Sequence, residues 1–277
     1  MAPTAADLTL LGVGFRIVVD DERVAELVRL LWEPFAGTGE GEPVTVDIRR
    51  DGAGWRIASP PDPPSRADDP WILCVVLRNL LAGRAIAARP DLVPLHSSVV
   101  ERDGFYLVLA GPSRAGKSTL AVELLLRGWR LVSDDLAPIA PTDATATRFL
   151  KPVQVRDPDQ WRRVGGWEVP AWLPPPAVTA LIPPAAFRQA PARPYRPDAV
   201  VFTRWDPGAE ATMEPVTPAR AAALCVTNVQ GGRDASGDLP VLAKLCAGAR
   251  TARMVYPSTP EAFALFGSFL HDSPPME

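Results

Sequence analysis

The sequence predicts an α/β fold built around a phosphate-binding loop, preceded by a small α+β region. Residues 111–118 fit the pattern G-x-x-x-x-G-K-[ST] in full, with an apolar strand segment before them and a helical segment after them. Two adjacent aspartates, Asp134 and Asp135, end the next apolar segment. Residues 1–88 carry strand, helix and hairpin signals without a chemical motif, which indicates an accessory region.

Within residues 1–88, we expect a short mixture of strands and helices. Residues 6–20 alternate as a strand does, and apolar residues at helical spacing predict a helix from residue 22 to the proline at 34. An Asp-Gly pair between two alternating runs predicts a hairpin. After a proline-rich break, a second helix is predicted over residues 71–88.

Residues 89–277 are expected to form the catalytic domain. Two strands joined near residue 103 lead into the loop, a helix runs from residue 118 to about 127, and a strand then reaches the two aspartates. Another strand is predicted over residues 198–205, followed by alternating helices and a strand. Residues 170–198 are rich in proline and predict a long irregular loop, which is either a passive surface excursion or a flap or docking surface for a partner.

Composition limits the classes of function. The 277-residue chain has a net charge of −3, so we expect neither nucleic acid nor a membrane as its main partner. Its start lacks the basic segment of a signal peptide, and we expect a cytoplasmic protein. The three cysteines are scattered, which is typical of buried thiols in a reducing compartment, and with two histidines a His/Cys zinc site is not expected.

The loop predicts a site for nucleotide phosphates and Mg²⁺; ATP is the expected ligand, and GTP and pyrophosphate are the alternatives. Backbone N–H groups of such a loop, together with the start of the next helix, bind phosphate oxygens. Lys117 is expected to reach the β- and γ-phosphates and the Ser118 hydroxyl to ligate Mg²⁺. The predicted nucleotide-binding residues are Gly111, Pro112, Ser113, Arg114, Ala115, Gly116, Lys117, Ser118 and Thr119.

The two aspartates predict two different tasks. Adjacent residues on a strand point to opposite faces, so Asp134 and Asp135 are not expected to do the same job. One carboxylate can hold the metal, and the other can accept the proton of an attacking hydroxyl.

These motifs resemble a known family. The segments "LHSSVV", "GPSRAGKSTL" and "LLLRGWRLVSDD" resemble the catalytic domain of bacterial HPr kinase/phosphorylase, and still more the related kinases that phosphorylate lasso-peptide precursors on a C-terminal serine. The resemblance implies a P-loop kinase domain of the HPr kinase/PEP carboxykinase type. It covers about residues 92–157, weakens through the C-terminal helices and is absent from residues 1–70.

The resemblance also implies roles for individual residues. Asp134 matches the family's proton acceptor, Asp135 the acid on the metal side, and His96 a histidine near the phosphates. The segment "FLKPVQVR" is similar to a basic segment that follows the aspartates, so Lys151 and Arg156 are expected to meet the transferring phosphoryl group. The alternative to a catalytic role for His96 is a polar residue on a half-buried strand. The alternative for Lys151 and Arg156 is that they are exposed charged residues on a strand.

The sequence departs from the HPr kinases in two places. Thr119 stands where they have glutamate, and their glycine-rich docking segment is replaced by "KPVQVRDPDQW". These differences argue against HPr as the substrate and against reverse phosphorolysis. The leading expectation is transfer of the γ-phosphoryl group of ATP to a serine in a peptide or protein. The alternatives are a nucleotide-operated switch or ATPase and a small-molecule kinase. Related kinases are oligomeric, so a homo-oligomer is expected.

Overall fold

The computed structural model describes residues 4–231 and 235–271 and has a mixed α/β fold. The strands are β1 (Thr4–Leu10), β2 (Val13–Val19), β3 (Glu40–Asp51), β4 (Gly54–Ala58), β5 (Ser65–Ala67), β6 (Val93–Leu95), β7 (Ser97–Arg102), β8 (Phe105–Ala110), β9 (Arg130–Ser133), β10 (Ala137–Ile139), β11 (Val153–Val155), β12 (Ala180–Ile182), β13 (Ala199–Trp205), β14 (Thr212–Pro215) and β15 (Arg250–Tyr256). The helices are α1 (Glu22–Trp32), α2 (Pro70–Ala87), α3 (Lys117–Leu126), α4 (Pro158–Arg163), α5 (Pro218–Val226), α6 (Leu239–Ala247) and α7 (Thr259–His271).

The chain divides into two compact units, each made of two segments. The first unit comprises Met1–Pro90 and Phe149–Gln189, and the second comprises Asp91–Arg148 and Ala190–Glu277. The expected division after residue 88 placed all of residues 89–277 in one domain. The structure differs because the segment that begins at Phe149 packs with the N-terminal region.

The first unit is built on a five-stranded sheet with the order β1-β2-β3-β4-β5. Residues 6–20, expected as one strand, form the antiparallel pair β1 and β2 instead. Leu11 and Gly12 in the turn between them both have positive φ. Glycine adopts this conformation without steric cost. The predicted hairpin is present as β3 and β4, with Asp51 opposite Gly54.

Helix α2 holds the later segment in the first unit. Its N-cap Asp69 accepts hydrogen bonds from the first-turn amides, and a proline occupies its first position. The buried Arg78 donates through Nε to the Pro152 carbonyl at 2.7 Å, and Trp71 Nε1 donates to the Pro174 carbonyl at 2.9 Å. By length and composition alone α2 could cross a membrane, a test that buried core helices of soluble proteins also pass.

The proline-rich stretch is less irregular than expected. Within residues 170–198, the apolar run Ala180–Ile182 forms β12, which pairs antiparallel with β11. A 3₁₀ turn, Pro184–Ala186, follows it. Prolines flank the short strand without interrupting it, so its amides stay free to pair.

The second unit is built on a six-stranded sheet with the order β14-β15-β13-β8-β7-β9. Strand β8 runs parallel to β13, and β13 runs parallel to β15. Strand β7 is antiparallel to both β8 and β9, so β9 also points the same way as β8. The carboxyl ends of β8, β9, β13 and β15 therefore share one edge of the sheet, called the carboxyl edge below, where α/β sheets bind ligands.

Candidate active site

The predicted phosphate loop lies at the carboxyl edge, between the end of β8 and the start of α3. Gly111 has a φ of 142° and Gly116 a φ of 86°, values that a side chain would strain. A Cβ on Gly111 would come within 2.8 Å of the Thr203 carbonyl oxygen, and one on Gly116 would overlap the Tyr256 hydroxyl. Close packing against β13 and β15 thus requires glycine at both positions.

Lys117 begins α3 and turns its side chain back over the loop. Its Nζ donates to the carbonyl oxygens of Gly111 at 2.8 Å and Pro112 at 2.9 Å, and the side chain is buried. The ammonium therefore lies among the loop carbonyls. A lysine held there has only a short distance to travel to a phosphate bound by the same loop.

The remaining predicted loop residues differ in exposure. Pro112, Ser113 and Arg114 are exposed, whereas Ala115 is buried. Ser118 is half-buried and Thr119, which follows it on α3, is exposed. Three consecutive loop residues, 112–114, are therefore open to solvent.

Asp134 is buried directly after β9 and accepts hydrogen bonds from serine hydroxyls. Its Oδ1 lies 2.8 Å from Ser98 Oγ and 2.9 Å from Ser118 Oγ, and both hydroxyls donate. The register of β7 explains the contact with Ser98, because Ser98 pairs with Leu109 on β8 while Val99 pairs with Ser133 on β9. Asp134 thus joins the start of α3 to β7.

Asp135 takes a different direction and pairs with His96. Its φ of 70° lies in the left-handed region, and its Oδ1 lies 3.1 Å from His96 Nε2. The Asp135 side chain is 31% exposed and that of His96 is 20% exposed, so solvent reaches both. A hydrogen bond from Ser133 Oγ to the Leu136 carbonyl closes the turn that contains both acids.

The contacts of the two acids differ from those expected from the sequence. The predicted metal ligand, Ser118, contacts Asp134 rather than Asp135, and the solvent-reaching carboxylate with a histidine partner is Asp135 rather than Asp134. The expected alternation along a strand does not apply, because β9 ends at Ser133 and both acids follow it. The catalytic roles predicted for the two acids stay predictions.

The oxygen ligands at Ser118 and Asp134 suit Mg²⁺. A hydroxyl oxygen and a carboxylate oxygen lie 2.9 Å apart beside the loop. Magnesium in nucleotide sites is held by one or two carboxylates together with substrate phosphates and water. Over residues 4–231 and 235–271, no group of three or more His, Cys, Asp and Glu side chains could hold a metal ion.

Lys151 and Arg156 belong to the first unit, whereas the loop and the acids belong to the second. Lys151 is buried, with Nζ 5.6 Å from the Phe149 ring centroid, so it is not the exposed strand charge considered as its alternative. Arg156 is exposed and follows β11. The expected contact of these two residues with the transferring phosphoryl group stays a prediction.

Sequence reasoning did not single out Ser98, Trp205 or Tyr256. Ser98 is fully buried, and a buried hydroxyl needs a hydrogen-bond partner. The signal that the sequence does contain is a polar residue within an apolar strand segment. Trp205 and Tyr256 end β13 and β15 at the carboxyl edge. Their closeness to Gly116 depends on strand order, which no local pattern shows.

Comparison with known proteins finds curated relatives by sequence and a solved structure by fold. No family model matches the sequence. Two curated HPr kinase/phosphorylases, from the Eklund 17B and Alaska E43 strains of Clostridium botulinum, are each 33% identical to this chain over 86 residues. Each match covers 29% of this chain, and the chain spans 28% of the length of these relatives.

A solved structure of the Hpr(Ser) kinase/phosphatase from Coxiella burnetii is similar at a TM-score of 0.29 and 10% identity. The match covers 65% of this chain and 92% of that one. The sequence matches confirm the resemblance predicted from the motifs, and the matched part of this chain is HPr kinase-like.

Proposed function

We propose that this protein is a kinase that uses ATP and Mg²⁺ to phosphorylate a serine hydroxyl in a peptide or protein. The observation that carries the proposal is the joining of loop and acids at one edge of the second unit. There Ser118 of the loop helix bonds to Asp134, and the next residue, Asp135, pairs with His96. The sequence similarity to HPr kinase/phosphorylase supports the same class of reaction.

The loop would bind the triphosphate. Its backbone amides and the first turn of α3 supply donors and a positive dipole end for phosphate oxygens. Lys117 would exchange the carbonyls of Gly111 and Pro112 for the β- and γ-phosphates, since its Nζ already lies over the loop. An ammonium at that point offsets the negative charge on the phosphates.

Ser118 and Asp134 would hold the metal. When bound, Mg²⁺ neutralises charge on the β- and γ-phosphates and fixes their orientation. The hydrogen bond from Ser98 keeps the Asp134 carboxylate directed at Ser118. Asp134 is buried, so this orientation is fixed by packing as well as by the hydrogen bonds from these serines.

Asp135 would accept the proton of the attacking hydroxyl. Its carboxylate reaches solvent, as a group that meets an external acceptor must, and His96 orients it. The serine oxygen bonds to the γ-phosphorus as the bond from that phosphorus to the bridging oxygen breaks, and ADP leaves with the electron pair. The serine proton goes to Asp135 Oδ.

The acceptor class comes from the motif resemblance, which points to the C-terminal serine of a ribosomal peptide natural-product precursor. Arg156 as a stabiliser of the transferring phosphoryl group, a cytoplasmic location and a homo-oligomeric state belong to the same proposal. The proline-rich residues 170–198 and the region over residues 1–88 have no assigned role in it.

A label-transfer assay tests the proposal. The chain is incubated with Mg²⁺ and ATP carrying radioactive γ-phosphate, together with short peptides that end in serine or, as matched controls, in alanine. The proposal expects label on the serine peptides alone. Release of labelled phosphate at the same rate without any peptide would favour the nucleotide-operated switch or ATPase, and label on a small alcohol but no peptide would favour a small-molecule kinase.

A further inference from the structure

Two aromatic residues end the strands beside the loop on the side away from the acids. Trp205 is the last residue of β13 and lies opposite Tyr256, the last residue of β15. Strand β13 pairs with β8 only as far as Phe202 opposite Ala110, so its last three residues run past β8 alongside the loop. Both aromatic side chains thus reach the carboxyl edge next to Gly116.

Tyr256 is part of the support of the loop. It is buried, its hydroxyl occupies the space where a Gly116 side chain would lie, and its Oη is 3.5 Å from the Ala115 carbonyl oxygen. Burial raises the pKa of the Tyr256 phenol, so the group stays neutral beside the loop.

Trp205 is different, because 52% of it is exposed. Its Cβ lies 3.4 Å from where a Cβ on Gly116 would stand, and its Nε1 donates to the Pro257 carbonyl at 3.1 Å. The indole is therefore held at Nε1 beside the loop while much of its apolar surface faces solvent. A large aromatic surface held in this way next to a phosphate loop is suited to stacking against a flat ligand.

The strand order gives the direction of a bound nucleotide. The acids and His96 adjoin β7 and β9, on one side of β8, whereas Trp205 ends β13 on the other side. A nucleoside triphosphate carries its transferable phosphate at one end and its base at the other. With the γ-phosphate next to Asp135, the base extends away from the acids, toward the side on which Trp205 lies.

We propose that the nucleobase of the bound nucleotide stacks on the exposed face of Trp205, an inference that rests on the proposed function. Stacking on an aromatic ring accepts any base, because every base has a π-face. The one donor of the indole, Nε1–H, is already used on Pro257. Trp205 therefore supplies affinity for the base without discriminating adenine from guanine.

Calorimetry of Trp205→Ala, with inorganic tripolyphosphate as a ligand that lacks a base, tests this inference. The substitution is expected to raise the Kd values of MgATP and MgGTP alike, by about tenfold, the scale of one lost base–aromatic stack. The Kd of magnesium tripolyphosphate is expected to stay within about twofold, because the phosphate loop is intact. Leu126→Ala is the control, since it removes another exposed apolar side chain at the far end of α3.

A second variant keeps the test decisive if Trp205→Ala folds poorly. Trp205→Phe retains a stacking ring, so MgATP affinity is expected within about threefold of wild type. The quenching of tryptophan fluorescence by MgATP is expected in wild type and is expected to be lost in this variant.

Unchanged MgATP affinity in Trp205→Ala, or an equal loss for MgATP and tripolyphosphate, would overturn the stacking inference while leaving the kinase proposal intact. Undiminished quenching in Trp205→Phe would overturn it as well. If wild-type protein binds neither MgATP nor tripolyphosphate, the proposed function fails and this inference fails with it.

Discussion

His96 Nε2 lies 3.1 Å from Asp135 Oδ1, and the preceding acid, Asp134, is turned the other way to bond with two serine hydroxyls. The positive φ of Asp135 makes this separation possible, because it reverses the chain between the two carboxylates. One carboxylate is thereby committed to the loop helix, while the other reaches solvent beside a histidine. A metal-side acid and a proton acceptor need different surroundings, and these two acids have them.

Removing the charge of each acid separately is expected to give different defects. Asp135→Asn should slow phosphotransfer by about 100-fold or more, the scale of a lost general base, and leave the Kd of MgATP within a few-fold. Asp134→Asn should instead weaken MgATP binding, and ATP binding in EDTA should change less. Calorimetry and the label-transfer assay measure the two effects.

Asp103→Asn is the matched control for both variants. Asp103 lies in the turn between β7 and β8 at a φ of 52°, which asparagine tolerates, and it is exposed. It should behave as wild type in both assays. Slow transfer with normal binding in Asp134→Asn, and weak binding in Asp135→Asn, would return the roles to those first expected from the sequence.

Ser98→Ala tests the support of the buried carboxylate. The substitution removes a hydroxyl that donates to Asp134, and an under-satisfied buried carboxylate costs about 1–3 kcal/mol of unfolding free energy. Ser97→Ala is the control, since Ser97 is equally buried but donates to a neutral acceptor, the Leu95 carbonyl, at 3.3 Å. Urea denaturation should show the larger loss for Ser98→Ala, and equal losses would mean that the Asp134 bond does not stabilise the fold.

Gly116→Ala and Gly128→Ala separate backbone strain from steric overlap. Both glycines have positive φ, at 86° and 90°, and alanine costs about 1–2 kcal/mol in that conformation. Only at Gly116 does the added methyl also meet Tyr256, whereas nothing lies within 4 Å at Gly128. Gly116→Ala should therefore lose more unfolding free energy in urea and should bind MgATP at least about tenfold more weakly.

Gly128→Ala should keep wild-type affinity for MgATP, because it lies beyond the far end of α3. If the two variants lose equal stability and both bind normally, the packing of Tyr256 against the loop has no energetic consequence.

The three cysteines are expected to be unreactive in the folded protein. All are free and buried, and burial raises the pKa of the Cys74 thiol. The pKa of the Cys225 thiol is raised by its hydrogen bond with Cys246, at an Sγ–Sγ distance of 3.9 Å, and by burial. The same hydrogen bond lowers the pKa of the Cys246 thiol, so for this residue low reactivity is expected from its complete burial. Because all three thiols are buried, a thiol reagent should modify the protein slowly in buffer and rapidly in guanidinium. Rapid modification of the native protein would contradict this packing.

The sequence predicts the loop well because its chemistry is local. A glycine pattern between a strand and a helix constrains the backbone directly, and the structure has Gly111 and Gly116 at positive φ. Helix α2 and the hairpin of β3 and β4 are also present as predicted, since periodicity and the Asp-Gly turn act over a few residues. The predicted burial of all three cysteines is confirmed as well.

What the sequence does not predict depends on contacts between distant segments. The segment from Phe149 to Gln189 joins the first unit because of partners such as Arg78 and Pro152, which lie far apart in the chain. The directions of Asp134 and Asp135 depend on the exact end of β9 at Ser133, a boundary that propensity does not fix.

Calorimetric titration of MgATP into wild-type protein and Lys117→Met tests the central claim, that residues 111–118 bind the triphosphate. Methionine keeps the apolar stem of the lysine and removes its charge. We predict that wild type binds MgATP and that the variant binds it at least about tenfold more weakly. Lys244→Met, which removes an exposed ammonium bonded to the Thr142 carbonyl, should bind as wild type does. Equal MgATP affinity in wild type and Lys117→Met, or no binding by wild type, would contradict the account.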